Sequence, residues 1–272
     1  MSNRVRVLTY NVLSIGNAEG AGRHEIARRG LAELRPDVVA LQEVTRRADL
    51  DQAAELLGPE FEIVDLPGAP PDGAGECLAS RLDVIDVATL DLPIDEEGRL
   101  PRASAAAIEV LGPAPVGALL VVHHKAAYQL QFEHVREVQA LTMARFVEDL
   151  VSDRTELPVV LLGDMNAAPD AASIRFLTGR QSLGGMSVRY EDAWEAMHPL
   201  ERGDTFTPVN PLVGAGEMPL ERGRRIDYVM VRSGSHGPSL DVADCRLAFA
   251  SPVDGVWASD HFGVVAELRL PA

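Results

Sequence analysis

The chain has 272 residues, 46% hydrophobic and 24% charged. That balance excludes whole-chain disorder and fibrous repeats, and the length buries a core without a disulfide or metal staple. Asp and Glu outnumber Lys and Arg by 41 to 25, for a net charge of −16, which opposes long-range attraction to a nucleic-acid backbone or an anionic membrane and disfavours a non-specific nuclease. Cys77 and Cys245 make neither a disulfide framework nor a cysteine zinc site. The first residues lack an apolar signal core and no apolar run is long enough to span a membrane, so the expected location is cytoplasmic.

In chain order, Val5–Val12 is apolar and β-branched and predicts a first strand. Arg23–Leu34 has helical spacing and stops before Pro36. Asp37–Gln42 is a nearly continuous apolar run, typical of a buried strand, followed by a short helix over Leu50–Leu57 and a strand over Phe61–Leu66. After a Pro/Gly-rich loop at Pro67–Gly75, strands are predicted at Cys77–Leu82, Val84–Leu90, Ser104–Val110 and Val116–His123. A long helix runs from Leu130 to Val151, with Phe132, Val135, Met143, Phe146 and Leu150 on one face and the polar Gln139 among them. Pro158–Leu162 is a buried strand ending in GDMN. A loop-rich stretch, Gln181–Gly223, precedes strands at Arg225–Val231, Leu240–Phe249 and Phe262–Leu268. Two strand-rich halves without a linker predict a single α/β domain over residues 1–272, two sheets packed face to face with helices outside.

Residues of catalytic type stand where apolar strands end: Asn11, Glu43, His124, Asp164 with Asn166, Asp227, and Asp260 with His261. Each has an ordinary reading alone. An Asp after a strand caps a turn, a strand-end Glu is solvated, and a lone His is structural. Together and in this order they describe a site on the rim of an α/β scaffold.

The segments TYNV (9–12), LQEV (41–44), SRL (80–82), VHHK (122–125), REVQ (136–139), GDMN (163–166), RRIDYVMV (224–231) and SDHFGV (259–264) resemble the endonuclease/exonuclease/phosphatase superfamily, the hydrolases related to pancreatic deoxyribonuclease. The resemblance covers residues 9 to 264 and implies a four-layer α/β/β/α sandwich with mixed sheets and a Mg2+ (or Mn2+) cofactor. It implies Glu43 as the principal metal ligand, with Asn11 and Asp260 beside it and Asn11 also near a phosphate oxygen. It makes Asp164 the group that orients or deprotonates the attacking water, with Asn166 on the phosphate. It makes His261, oriented by Asp227, an acid–base group, and gives His124 the phosphate or the leaving oxygen. That chemistry is physically sound. A divalent ion held by oxygen ligands offsets the charge that shields phosphate from attack, and a carboxylate behind a histidine sets its tautomer.

There are departures. His123 and Lys125 flank His124 where the family more often has Thr and Leu; Lys125 meets an anionic substrate or is solvated. Where the deoxyribonucleases carry Arg-Glu-Pro, this chain has Pro101-Arg102-Ala103-Ser104, without the carboxylate, which leaves Arg102 facing the phosphate or lying on the surface. Gln139 matches a position that hydrogen-bonds beneath the site. The expected activity is a divalent-metal phosphoesterase, favouring a phosphodiester of a small or lipid-like anionic substrate. A nuclease of the same fold, drawing on Arg102, Lys125, Arg222, Arg224 and Arg225, and an inactive binding scaffold are the alternatives. The loops at Pro67–Gly75 and Gln181–Gly223 are the expected determinants of substrate, with Tyr128, Trp194 and Phe206 as pocket or core residues.

Overall fold

Alternation along the strands sorts the apolar residues into three layers of core. The computed structural model describes residues 3–18, 20–66, 74–92 and 103–271. The chain runs β1 (Val5–Asn11), α1 (Gly20–Leu34), β2 (Val38–Arg47), β3 (Leu50–Asp51), α2 (Gln52–Leu57), β4 (Glu62–Asp65), β5 (Ala74–Ser80), β6 (Val84–Leu92), β7 (Ala103–Leu111), β8 (Ala118–His124), α3 (Glu133–Leu150), β9 (Val159–Asp164), α4 (Ala172–Leu177), β10 (Tyr190–Asp192), α5 (Ala193–Met197), α6 (Pro211–Ala215), β11 (Asp227–Gly234), β12 (Gly237–Pro238), β13 (Asp241–Ala248) and β14 (Gly263–Arg269).

One seven-stranded sheet has the order β13-β14-β1-β2-β5-β4, with β3 paired to β2. The other has the order β10-β11-β9-β8-β7-β6, with β12 paired to β11. Each sheet holds one parallel pair, β1 with β2 and β8 with β9. A parallel pair needs a crossover, and α1 and α3 are those crossovers, which is why they cover the outer faces.

Between the sheets pack Val5 and Val7, Val38 and Ala40, Leu119 and Val121, Val160 and Leu162, Val229 and Val231, and Val264 and Ala266. The opposite rows of the same strands face the helices. Leu8, Tyr10, Val39 and Leu41 meet Ala27, Leu31, Ala53 and Leu56, and Leu120, Val122, Val159 and Leu161 meet Ala140, Met143, Ala144 and Val147. Each such side chain contributes about 1.5–3 kcal/mol by leaving water, and the result is the expected α/β/β/α sandwich.

The buried stripe of α3 differs from the predicted one. It runs through Arg136, Gln139, Ala140, Met143, Ala144 and Val147, with Phe146 and Leu150 packed along its margin. Small alanines let α3 approach the sheet, and hydrogen bonds, not hydrophobicity, bury Arg136 and Gln139. The Gln181–Gly223 stretch contains β10, α5 and α6. Both cysteines are buried and free, and no helix among the described residues is long and apolar enough to cross a membrane.

Candidate active site

The inward rows change character at one end of the sandwich. Along β1 the row reads Val5, Val7, Thr9, Asn11, and along β2 Val38, Ala40, Gln42. Along β9 it reads Val160, Leu162, Asp164, and along β11, running the other way, Val231, Val229, Asp227. The period of two carries the row of β8 through Leu119, Val121 and His123 to Lys125 just past the strand, and that of β5 from Leu78 to Glu76. Thr9, Gln42 and His123 form the first polar rung. Gln42 Nε2 donates to Thr9 Oγ1 at 3.1 Å and lies 2.7 Å from His123 Nε2. Burial, then His124 and Lys125, push the His123 pKa down to about 3, so the ring is neutral.

Above this rung the titratable groups converge. The β2/β5 register slips between Leu41 and Val44, and Glu43 adopts φ 59°. That bulge re-aims Glu43 into the site, the usual work of a bulge beside a functional residue. Glu43 Oε1 accepts from Asn11 Nδ2 and from Lys125 Nζ, both at 2.9 Å. Asn11 Nδ2 also donates to Asp164 Oδ2 at 3.1 Å, and its Oδ1 accepts from Leu13 N. Asp164 stands opposite Asp227 in the β9/β11 ladder. Asp227 Oδ2 accepts from His261 Nδ1 at 3.0 Å. Gly163 lets β9 come close to its neighbour, because a Cβ there would lie 1.8 Å from the His124 carbonyl oxygen.

Charge follows geometry. Burial alone would raise the Glu43 pKa, but Lys125, Asn11 and His261 bring it down to about 2. Burial, then Asp227, push Asp164 up, and Glu43 adds to the rise while His261 and Lys125 oppose it. Asp260 and Glu76 are raised chiefly by burial, and in each case by Glu43 as well. Burial opposes the cationic form of His261, yet Asp227, Asp164 and Asp260 overcome it and lift the pKa to about 10. Lys125 behaves likewise: burial lowers its pKa, and Glu43, Glu76 and Asp164 raise it further.

A cavity of about 630 Å3 opens on this cluster, lined by Glu43, Asp164, Asn166, Asp260 and His261 and walled by Leu13, Tyr128, Phe206, Val213, Met218 and Ile226. The structure thus brings together Asn11, Glu43, Asp164, Asn166, Asp227, Asp260 and His261. Asn166 donates its Nδ2 to Ala126 O at 3.0 Å and its backbone N–H to Asp164 Oδ1. His124 is not brought in. Its place in the β8 alternation is the helix-side row of Leu120 and Val122, its Nδ1 is buried without a hydrogen-bond partner among the described residues, and burial pushes its pKa down to about 4. Lys125 is spent on Glu43 and lies 3.9 Å from Glu76, so it is neither solvated nor free for a phosphate. Arg102 and residues 67–73 of the Pro/Gly loop lie outside the described residues.

Gln139 Oε1 accepts from Ala127 N at 3.0 Å, while the Arg136 guanidinium donates to the carbonyls of Ala127, Gln129 and Leu130. This explains polar residues in an apolar stripe: they hold the loop that presents Tyr128 to the cavity. Trp194 packs between the sheets instead.

Several contributors escaped the sequence reading. Glu76 stands one residue before the predicted Cys77–Leu82 strand, where no motif marks it. Thr205 accepts the N–H groups of Ile226 and Asp227 on its hydroxyl, and Ser259 donates to Asn11 O at 2.7 Å. Asn210 ties α6 to Ser259 O. Arg23 is buried, donating to the carbonyls of Val12, Leu13, Ser14, Asn17, Ala18 and Ala258. Its surroundings, HEIARR, carry no signal; the polar TFTPVN run at 205–210 offered one.

The donor set fits a hard divalent cation. Carboxylates outnumber the cations Lys125 and His261 here, and Asp227 Oδ1 is buried without a partner among the described residues. Ligand atoms of Asp164, Asp227 and His261 lie within 4.8 Å of one another. With Nδ1 donating to Asp227 and the ring cationic, His261 is a hydrogen-bond donor, not a ligand. Glu43, Asp260 and Asp164 remain as oxygen donors facing the cavity. Asn11, whose Nδ2 faces the carboxylates, bridges two of them.

A four-layer sandwich with carboxylates and a His–Asp pair at one end of its interior defines a class of phosphoric ester hydrolase. The family model of the Endonuclease/Exonuclease/phosphatase family matches residues 8–261, and the chain belongs to that family. Members of the family are phosphoric ester hydrolases that use divalent metals. No curated protein matches the chain in a sequence search. Among solved structures, the human Nocturnin catalytic domain with bound sulfate superposes with a TM-score of 0.75 at 14% identity, covering 100% of this chain and 96% of that one. D. rerio TDP2 complexed with single strand DNA product gives 0.74 at 17% identity, covering 98% and 100%. An endonuclease/exonuclease/phosphatase from Beutenbergia cavernae DSM 12333 gives 0.71 at 25% identity, covering 99% and 72%.

Proposed function

We propose that this protein is a divalent-metal-dependent phosphoesterase that hydrolyses a phosphodiester of a small or lipid-like anionic substrate by attack of water. The observation that carries this reading is the cavity. Its floor is Glu43, Asp164, Asp260 and His261, apolar side chains such as Leu13, Phe206, Val213 and Ile226 stand in its walls, and the one arginine among its described lining residues, Arg224, is paired with Glu221 at 2.7 Å. Of the cations a nuclease would need, Lys125 is held by Glu43 and Arg225 by Asp192, Arg222 is exposed, and Arg102 lies outside the described residues.

Glu43 and Asp260 would hold the ion with Asp164 beside them; when bound, Mg2+ or Mn2+ offsets the charge on the phosphate oxygens. Asp164, its carboxyl raised by burial and by Asp227, takes the proton from water. Asn11 fixes Asp164 Oδ2 and Glu43 Oε1 relative to each other through one amide nitrogen. His261, cationic and locked by Asp227, offers its Nε2 proton to the phosphate or the departing oxygen. Asn166 on the cavity wall contacts the phosphate. His124 enters no step that this arrangement supports.

A nuclease is the second reading, favoured by the likeness to D. rerio TDP2, whose structure holds a single strand DNA product. The test is hydrolysis with Mg2+ or Mn2+ of bis(p-nitrophenyl) phosphate, p-nitrophenyl phosphate, nucleotides, a phospholipid and plasmid or abasic DNA, with Glu43→Ala and His261→Ala alongside. Metal-dependent release from small or lipid diesters, lost in both variants, is expected. DNA nicking at lower enzyme concentration than any small-ester turnover would reverse the order of the two readings. Failure to bind metal would leave the scaffold.

A further inference from the structure

Lys125 continues the inward row of β8 and ends between two carboxylates from the facing sheet. Its ammonium donates to Glu43 Oε1 at 2.9 Å and stands 3.9 Å from Glu76 Oε1. Its side chain is only 17% exposed, and Lys125 does not line the cavity. A substrate in the cavity therefore meets Glu43, with Lys125 behind it. Without a cation there, Glu43 and Glu76 would face each other across a partly enclosed gap with no positive charge between them, an arrangement that like charges oppose.

We propose that Lys125 is a built-in counter-charge that takes the place of a second divalent cation, so that the site holds one divalent ion and Glu43 is aimed at it. Lys125 is on this view a positioning residue. It occupies one oxygen of Glu43 jointly with Asn11, leaving Oε2 for the ion. It neutralises the charge that would otherwise recruit another cation against Glu76. An ammonium makes a fixed, compact contact that cannot be stripped by chelators, and the single ion is bound more weakly because a positive charge already sits on its ligand.

The inference rests on the metal-dependent reading above, and its test separates the two. Mn2+ binding to the full chain is titrated by electron paramagnetic resonance of the free ion, for wild type, Lys125→Met and Lys125→Arg, with melting curves for each. The expected result is one Mn2+ per wild-type chain. Lys125→Met is expected to bind a second ion, or the first about tenfold or more tightly, as removal of a unit charge within hydrogen-bonding reach of a ligand predicts. Lys125→Arg keeps the wild-type stoichiometry and affinity. Two ions on the wild type, or unchanged or weaker binding by a folded Lys125→Met, overturns the role of Lys125 while the metal-dependent reading stands. No binding by the wild type overturns both. If Lys125→Met does not fold, the wild-type stoichiometry decides, one ion supporting the inference and two refuting it. A rise in KM for a diester without any change in Mn2+ binding would assign Lys125 to the phosphate instead, and would also overturn it.

Discussion

The two ends of the inter-sheet layer are made by the same strands under the same alternation and differ only in what the inward rows carry. At one end Val5, Val38, Val160 and Val231 pack into an apolar core. At the other Glu43, Asp164 and Asp227 crowd like charges together, bridged by Asn11 and offset by His261 and Lys125. Thr9, Gln42 and His123 stand between, a neutral polar rung joined through Gln42 Nε2, with His123 Nδ1 left without a partner among the described residues. The first end supplies the stability that the second consumes. Carboxylates raised by burial and by one another, as Asp164 is, are held against their preference for water. Sites of this kind are commonly stabilised by removing the groups that make them work.

Substitutions on one strand, β9, separate the two ends. The largest expected effect is on chemistry: Asp164→Asn lowers kcat for a diester by about 10²–10⁴, the range for loss of a general base. Its melting temperature equals or exceeds wild type, since a like charge beside Asp227 is gone. A melting temperature several degrees lower would mean that Asp164 supports the fold. Two residues earlier on the same face, Leu162→Ala costs about 2–5 kcal/mol in denaturant unfolding, as a cavity in a close-packed core does. The kcat of its folded fraction stays near wild type, and a large fall in kcat there would show that the two ends are not separable.

A smaller effect concerns pH. His261 has a folded pKa of about 10 against an ordinary 6.5, so its stabilisation is full below pH 6.5 and is lost as pH rises through 10. Without metal, stability falls across pH 7 to 9.5 by up to about 1.4 kcal/mol per unit. His261→Gln removes that slope in urea unfolding; an unchanged slope would mean that another group supplies it.

Much of the fold was legible because short apolar runs such as VVALQ and PVVLL read as buried strands, and a polar residue of catalytic type followed closely on each. Asn11, Glu43 and Asp164 announced themselves by following such runs, and Asp227 and His261 by standing before them. The stripe of α3 was misplaced because burial of Arg136 and Gln139 comes from hydrogen bonds to a loop, which hydrophobic periodicity cannot register. The partner of Lys125 was illegible because Glu43 reaches it only through a bulge, and a bulge reverses the parity on which strand reasoning depends. Glu76 was missed for a related reason: its place in the cluster follows from pairing β5 beside β2, a contact between segments distant in sequence.

If the polar end of the sandwich is a metal-dependent phosphoesterase site, turnover needs both the ion and Glu43. The most direct test is turnover of bis(p-nitrophenyl) phosphate against Mn2+ concentration, for wild type and Glu43→Ala. The expected result is no turnover after chelation, saturable recovery with Mn2+ in the wild type, and loss of that recovery in the variant despite an intact fold. Turnover that survives chelation, or that Glu43→Ala retains with the same Mn2+ dependence, would contradict it.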